Sequence, residues 1–317
     1  MKTARSWPLA SLLVALGAHT GAVADSLVTP AIDGVVASGT PIVLIKEDFK
    51  GTEGPIALPD GSVAFTEAQI NQITRIAPDN STSPYLQNTN GANGLAFNAA
   101  GELIAVQTTK PGIAVLAPAG RERVLVDKFE GAPLNRPNDL VVDKSGGVYF
   151  TDPGARPKAG KPAPPTAVYY LSAKGDLKKL ATDVERPNGI QLSPDEKTLY
   201  VANTFGDHVL AYDVKKDGSV GKRRNFAKLA GVTQTETGIT SGADGLAVDA
   251  KGRLYVASAA GVQVFDAKGK ALGTIALPKA PQNLAFAGEG KQTLYVVGRG
   301  AAYKVAVLTP GFAGRVK

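Results

Sequence analysis

Oxygen-bearing side chains lead six copies of a repeated phrase in this sequence, and their spacing is its most informative chemical feature. Each copy has a polar residue, a short apolar run, a glycine-containing turn and a second apolar run. The clearest copy is Asp244-Gly-Leu-Ala-Val-Asp-Ala-Lys-Gly-Arg-Leu-Tyr-Val-Ala257. The leading residues are 39 to 56 positions apart: Glu53, Asn93, Asn138, Asn188, Asp244 and Asn283. Such a period predicts a repeat architecture, which can bring equivalent side chains together.

Four of the leading residues, Glu53, Asn138, Asn188 and Asp244, supply two carboxylates and two carboxamides. Oxygen ligands of this kind suit one hard divalent cation. We expect Ca²⁺, with Mg²⁺, Mn²⁺ or Zn²⁺ as alternatives, although no nearby imidazole or thiolate supports a typical structural zinc site. Positions left open on the cation would hold water or substrate, as in a catalytic site. The competing interpretation is that each Asn-Gly or Asp-Gly pair only forms a turn.

The composition excludes several other kinds of active site. The chain has 317 residues and no cysteine, so thiol catalysis and cysteine-bound metals are excluded. Its two histidines are His19, which falls in a predicted signal peptide, and His208. A single remaining histidine does not support a multi-histidine zinc site or most histidine-centred hydrolase mechanisms. We expect His208 to begin a strand at the surface, outside the active site.

The first 24 residues have the pattern of a secretory signal peptide. A basic start precedes an apolar run, and Ala22-Val-Ala24 is a small-residue cleavage site. The alternative is a buried N-terminal helix. We expect cleavage after Ala24, export to the periplasm, and a mature chain over residues 25–317 that forms one domain and remains a monomer. Its 33 basic and 28 acidic residues are spread along the chain, so we expect neither nucleic acid nor a membrane as partner.

Within a repeat, short apolar blocks alternate with turn signals, which predicts four antiparallel strands per repeat. Six such repeats predict an all-β protein, a six-bladed β-propeller, whereas a β-sandwich would not explain six aligned copies. In the fifth repeat the predicted strands are 246–249, 254–257, 262–266 and 271–277. The strand-like segment Pro41–Lys46 should close the ring by pairing beside residues 303–308, because pairing hides an exposed sheet edge.

Propeller geometry also predicts where the functional parts lie. The first strand of each blade lines the central channel, so all six leading residues should meet at one mouth. Loops 152–165 and 231–242 should reach the same face and are candidate lids, unless they are only surface insertions. Glu67 and Asp152 should end second strands near this mouth, where they would add acid–base capacity or only make the hairpins soluble.

Longer motifs around the leading residues resemble the SMP-30/gluconolactonase family, which includes regucalcin and, more distantly, the diisopropylfluorophosphatase-like propellers. The resemblance covers residues 40–310, and the motifs occur in the family's order: Glu53-Gly-Pro55, Asn135-Arg-Pro-Asn-Asp139, Phe150-Thr-Asp-Pro153, Arg186-Pro-Asn-Gly189, Leu199-Tyr-Val-Ala-Asn203 and Ala243-Asp-Gly245. It implies six blades around one divalent metal held by Glu53, Asn138, Asn188 and Asp244. It also implies that Arg136 contacts substrate and that Asp244 acts as base or nucleophile. Gly51-Thr52 departs from the family, since many members have an aromatic residue there.

These observations together predict a metal-dependent lactonase that opens a sugar lactone or a related small ester. The metal would stabilise the developing oxyanion. Asp244 would take a proton from the attacking water or position metal-bound hydroxide, unless it is only a metal ligand. Arg136 would hold a hydroxyl or carbonyl group of the substrate, or only form a salt bridge at the rim. Asn93 and Asn283 would be supporting or substrate contacts. Two alternatives stay open: a propeller hydrolase that acts on aryl esters or phosphotriesters, and a non-catalytic binding propeller stabilised by calcium.

Overall fold

The computed structural model describes Met1 and residues 27–155, 165–236 and 238–317. The predicted signal peptide therefore lies outside the described residues, apart from Met1. Strands dominate what is described, with two 3₁₀ helices at Ala68–Ile70 and Glu289–Lys291. The strands are β1 Ile42–Lys46, β2 Thr52–Ala57, β3 Val63–Glu67, β4 Gln72–Ile76, β5 Thr82–Gln87, β6 Ala92–Phe97, β7 Leu103–Gln107, β8 Gly112–Ala117, β9 Arg123–Val126, β10 Lys128–Phe129, β11 Ala132–Pro133, β12 Leu140–Val142, β13 Val148–Asp152, β14 Ala167–Leu171, β15 Leu177–Ala181, β16 Pro187–Leu192, β17 Thr198–Asn203, β18 His208–Asp213, β19 Arg224–Lys228, β20 Thr233–Thr235, β21 Gly238–Thr240, β22 Leu246–Val248, β23 Leu254–Ser258, β24 Gly261–Phe265, β25 Ala271–Ile275, β26 Asn283–Ala287, β27 Thr293–Gly298 and β28 Ala301–Ala306.

Six four-stranded antiparallel sheets form the blades of a β-propeller, as the repeats predict. Five blades use consecutive strands: β2–β5, β6–β9, β12–β15, β16–β19 and β22–β25. The sixth combines β26, β27 and β28 with β1. The first strands of neighbouring blades contact one another all round the ring, from β2 through β6, β12, β16, β22 and β26 back to β2. These first strands are therefore the innermost ones and surround the propeller axis.

The ring closes where strand β1 pairs with the last strand of the chain. β1 is antiparallel to β28, with Ile42 opposite Val305 and Leu44 opposite Tyr303. This pairing confirms the predicted closing strand, and it joins distant parts of the chain in one sheet. The pairing also removes an unpaired sheet edge, which would otherwise invite association with other chains.

The core lies between adjacent blades rather than at one centre. Between the third and fourth blades, for example, Val141 and Tyr149 pack with Ile190 and Val201. An inner strand has another blade on each side, so both of its faces are buried and its sequence reads as an apolar block. β13 and β23 have no exposed residue for this reason.

The far end of the channel is closed by the segment 311–317. Phe312 donates its backbone N–H to Val248 O at 3.1 Å, and Val316 O accepts from Phe97 N at 3.3 Å. Arg315 Nη2 donates to Leu192 O at 2.6 Å. Val248, Phe97 and Leu192 are the last residues of three first strands, so this segment crosses the end opposite the leading residues. No helix in the described part of the chain is long and apolar enough to cross a membrane.

Candidate metal centre and active site

The glycine after a leading residue lets neighbouring first strands approach closely at the mouth of the channel. A β-carbon on Gly189 would lie 2.2 Å from Asp244 O, and one on Gly54 would lie 2.0 Å from Asn93 O. Only glycine fits these positions without moving the backbone. The glycines of these pairs therefore allow the first strands to pack closely around the ring. The interpretation that each Asn-Gly or Asp-Gly pair only forms a turn does not account for this close packing.

β-Bulges turn the leading residues toward the axis. In the first blade Glu53 lies opposite Thr66 and Ile56 lies opposite Ala64, so the first strand contains one extra residue. The second and fourth blades have the same shift at their leading residues. A bulge bends its strand and changes the direction of a side chain, and here it occurs where the functional side chains stand.

Threonines near the ends of second strands hold the neighbouring blade in place. Thr66 Oγ1 donates to Asn93 O at 3.0 Å, and Thr151 Oγ1 donates to Asn188 O at 2.6 Å. Thr204 Oγ1 donates to Ala243 O at 2.7 Å and accepts from Asn188 Nδ2 at 3.1 Å. These contacts fix the first strands relative to one another, and the last one also orients the Asn188 amide.

One cavity of about 250 Å³ opens at this mouth. Six of the residues predicted from the sequence line it: Glu53, Asn93, Arg136, Asn138, Asn188 and Asp244. Its wall also contains side chains that could contact hydroxyl groups, among them Gln69, Thr108 and Thr204. The structure thus brings the four expected metal ligands together with two of the three expected substrate contacts.

The donor atoms in this cavity have the properties expected of an oxygen site for a cation. Within the described residues, Asn138 Oδ1 and Asn188 Oδ1 are buried and accept no hydrogen bond. A buried polar atom without a partner costs free energy, and a bound cation would remove that cost. Burial also raises the pKa of Glu53 to about 7, with Asp139 adding to the shift, although hydrogen bonds from Asn283 and Gln282 oppose it.

The ligand set itself indicates which metals fit. Among the described residues, no group of three or more His, Cys, Asp or Glu side chains could hold a metal ion. The cavity offers instead Glu53 and Asp244 with the amide oxygens of Asn138 and Asn188. This mixture of carboxylate and carbonyl oxygens fits a hard divalent cation and does not resemble a zinc site.

A buried ion pair lies at the axis, next in sequence to Asn138. Asp139 is 1% exposed, and its Oδ2 is 2.7 Å from Lys317 Nζ. The Lys317 ammonium also donates to Ile190 O at 2.6 Å. Asp139 accepts from Leu140 N at 2.9 Å and from Ile190 N at 3.3 Å, so it joins the third and fourth blades. Burial lowers the pKa of Lys317, and the Asp139 carboxylate opposes that shift.

The sixth leading position belongs to Gln282, and the expectation for Asn283 is wrong by one residue. Gln282 N donates to Val297 O at 2.8 Å, just as Asp244 N donates to Ala257 O at 2.9 Å in the fifth blade. Gln282 lines the cavity. Asn283 is instead at the position where four of the other five repeats have glycine.

Asn283 contacts Glu53, one of the expected metal ligands, and does not line the cavity. It is 2% exposed, and its Nδ2 donates to Glu53 Oε2 at 3.1 Å. Gln282 Nε2 approaches Glu53 Oε1 at 3.4 Å. Of the two roles expected for Asn283, the supporting contact fits this position and the substrate contact does not.

Glu67 and Asp152 lie near the mouth as predicted, but both are buried and hold backbone. Glu67 Oε2 accepts from Lys50 N at 2.8 Å. Asp152 is fully buried and accepts from Asn135 N and Arg136 N, each at 2.8 Å. Neither carboxylate is a solvated hairpin residue, and Asp152 fixes the loop that carries Arg136.

Other predicted elements have mixed outcomes. His208 begins β18 as predicted, and its Nδ1 lies 2.7 Å from Asp207 Oδ1. The linker 231–242 contains the hairpin of β20 and β21, and its Gly242 lines the cavity. Pro153 and Gly154 line it too, whereas residues 156–164 of the other candidate lid lie outside the described residues.

The chain belongs to the SMP-30/Gluconolactonase/LRE-like region family, whose model matches residues 51–299. It is 30% identical over 294 residues to a gluconolactonase of Zymomonas mobilis, a match that covers 84% of this chain and 82% of that protein.

Solved structures share the fold. A gluconolactonase of Xanthomonas campestris matches with a TM-score of 0.74 and 26% identity, over 89% of this chain and 94% of that one. A calcium-binding regucalcin of Agrobacterium tumefaciens matches with a TM-score of 0.70 over 90% of this chain and 95% of that one. Its identity is 20%, so this second likeness concerns the fold alone.

Proposed function

We propose that this protein is a divalent-metal-dependent lactonase that opens the ring of a small sugar lactone. The observation that carries the proposal is the oxygen-lined cavity at the mouth of the propeller, where two buried amide oxygens of the described residues accept no hydrogen bond. The likeness to gluconolactonases of Zymomonas mobilis and Xanthomonas campestris supports lactones as the substrate class.

Glu53, Asn138, Asn188 and Asp244 would hold the metal, for which Ca²⁺ is our first choice because all four donors are oxygens. Mg²⁺, Mn²⁺ and Zn²⁺ are the alternatives. When bound, a divalent cation supplies Lewis-acid stabilisation for negative charge on the carbonyl oxygen of the substrate. Asn283 and Gln282 keep the Glu53 carboxylate oriented through their hydrogen bonds.

The reaction is the addition of water across one ester bond. Asp244 takes a proton from the attacking water, whose oxygen bonds to the carbonyl carbon. The bond between that carbon and the ring oxygen then breaks, and the ring oxygen leaves as a hydroxyl group with a proton. The product is an open-chain hydroxy acid, which ionises and releases one proton at neutral pH.

Other side chains of the cavity orient the substrate. Arg136 and Asn93 line the cavity, and they would hold hydroxyl or carbonyl groups. Asn93 Nδ2 donates to Asn138 O at 2.9 Å, so that side chain also braces the loop that carries a metal ligand. We further propose that the protein is exported after cleavage behind Ala24 and acts as a monomer.

The proposal is tested by following acid release from a panel of sugar lactones in a pH-stat, with and without EDTA. We expect turnover that chelation abolishes and added Ca²⁺ restores. Asp244→Asn should remove turnover, and its thermal unfolding midpoint should be measured to confirm that it folds. A protein that hydrolyses none of the lactones, but melts at a lower temperature with EDTA, would be a calcium-stabilised binding propeller. Unchanged turnover in Asp244→Asn would contradict the role given to that carboxylate.

A further inference from the structure

The arginines of the described residues fall into two sets. Seven lie away from the cavity, and each forms an ion pair with an aspartate or glutamate. Arg136, Arg186 and Arg299 line the cavity. Within the described residues, the guanidinium groups of Arg136 and Arg299 have neither an ion-pair partner nor a hydrogen bond. An arginine usually stays close to an anion when one is within reach, so this contrast points to an anion that the protein itself does not supply.

The charge balance of the cavity leads to the same conclusion. Among the described residues that line it, the only carboxylates are Glu53 and Asp244. Both belong to the proposed ligand set, and a divalent cation would neutralise both of them. The guanidinium groups of Arg136 and Arg299 then remain uncompensated around a cavity of about 250 Å³. A low-dielectric wall strengthens such a field, which attracts a negatively charged solute.

The backbone at Arg299 is unfavourable for an arginine. Arg299 and Gly300 form the two-residue turn between β27 and β28, with φ angles of 51° and 78°. Turns with two positive φ angles favour Asn, Asp or Gly at the first position, because a longer side chain makes the left-handed conformation costly. A long side chain in this costly conformation, at the wall of the cavity, is an observed outlier of the kind that clusters at functional sites.

Both arginines are connected to the metal centre or anchored beside it. Arg299 N donates to Gln282 Oε1 at 2.8 Å, and Gln282 Nε2 in turn contacts Glu53. Arg136 N donates to the buried Asp152 carboxylate at 2.8 Å. The backbone at each arginine is therefore fixed, while its guanidinium group keeps its capacity for a planar, bidentate contact with an oxyanion.

We propose that the natural substrate is a lactone that carries an additional anionic group, a carboxylate or a phosphate, which Arg136 and Arg299 bind. This proposal rests on the proposed lactonase function and names the substrate class of that same cavity. The anionic group stands outside the ester that is cleaved, so the reaction itself is unchanged.

The test compares kcat/KM for lactones that differ in one charged group. D-Glucaro-1,4-lactone carries a free carboxylate, and D-glucono-1,4-lactone is its neutral counterpart. 6-Phospho-D-glucono-1,5-lactone and D-glucono-1,5-lactone form the phosphate pair, so the two pairs distinguish the two anions. We expect the wild-type protein to prefer the charged member of one pair at least about tenfold, and this preference should shrink as NaCl is added.

Variants show which side chains create the preference. Arg299→Gln and Arg136→Gln should each reduce the charged-to-neutral ratio of kcat/KM about tenfold. Arg224→Gln is the matched control, because Arg224 forms its ion pair with an exposed Asp213 on an outer strand and should leave the ratio unchanged. Equal kcat/KM for charged and neutral lactones would overturn the proposal and leave the lactonase function standing.

If none of the four lactones is hydrolysed, the lactonase function fails while the anion site can still be judged. Calorimetric titration with D-glucarate and with 6-phosphogluconate then replaces the kinetics. Binding of either anion that Arg299→Gln abolishes would support the site. Absence of binding by both anions would overturn it.

Discussion

Replacing Lys317 by methionine should destabilise the propeller strongly, although this residue is the last of the sequence. The Lys317 side chain is 5% exposed, and its ammonium lies 2.7 Å from the carboxylate of Asp139, which is 1% exposed. Lys317→Met keeps most of the apolar stem but removes the charge. Asp139 would then remain buried beside the proposed metal centre with only backbone N–H groups of Leu140 and Ile190 as partners.

The expected size of this effect follows from the burial of both partners. Removing one partner of a buried ion pair costs about 3–5 kcal/mol, because the other charge stays desolvated. For a domain of this size each kcal/mol lowers the unfolding midpoint by about 2 °C. We therefore expect Lys317→Met to melt about 6–10 °C below the wild-type protein.

Thermal unfolding followed by circular dichroism, in EDTA so that metal binding does not contribute, measures this difference. Asp139→Asn combined with Lys317→Met should be less destabilised than the sum of the two single variants, because the double variant leaves no buried charge unpaired. The control is Lys178→Met, since the pair of Lys178 with Asp217 is 41% and 61% exposed and should contribute less than about 1 kcal/mol. A Lys317→Met midpoint within 1 °C of the control would refute the assigned role of the buried pair.

Two further predictions concern the mouth of the channel. Gly189→Ala places a β-carbon 2.2 Å from Asp244 O, so it should lower both the unfolding midpoint and the affinity for Ca²⁺. The control is Gly221→Ala, whose nearest neighbours are 3.7 Å away and which should change neither quantity. A wild-type Ca²⁺ affinity in Gly189→Ala would contradict the close packing. Because the pKa of Glu53 is about 7 instead of 4.5, the folded metal-free protein binds the Glu53 proton more tightly than the unfolded chain does. The free energy of unfolding of the metal-free protein should therefore fall by about 3 kcal/mol as the pH rises from 4.5 through 7. Added Ca²⁺ should therefore raise the unfolding midpoint more at about pH 8 than at about pH 5.5, and Glu53→Gln should remove that difference; an equal Ca²⁺ effect at both pH values would refute this explanation.

The blades could be predicted from the sequence because their signals are local. The predicted strands of the fifth repeat agree with β22 to β25 to within two residues. Apolar blocks and turn glycines lie within a few positions of each other, and the same pattern recurs in each blade. The closing strand was predictable for a related reason, since a propeller with one incomplete blade must take a strand from the other end of the chain.

The details of the site were less predictable, because they depend on contacts between distant residues. Lys317 and Asp139 are 178 positions apart in the sequence, and no pattern around either residue indicates this pair. Asn283 resembles the other leading residues, so the sequence favours it over Gln282. Aligning Leu284 with Leu95 of the second repeat nevertheless places Gln282 opposite the leading residue Asn93. The Arg299-Gly300 turn has no motif of its own and gains significance only from its place on the cavity wall.

Calorimetric titration of the EDTA-treated protein with Ca²⁺ will show whether Glu53, Asn138, Asn188 and Asp244 hold one divalent cation at the mouth of the propeller. We expect one site per chain in the wild-type protein. Asn188→Leu, which removes one ligand oxygen and keeps a side chain of similar size, should weaken or abolish that site while remaining folded by circular dichroism. A stoichiometry other than one, or equal Ca²⁺ affinity in Asn188→Leu and the wild type, would contradict it.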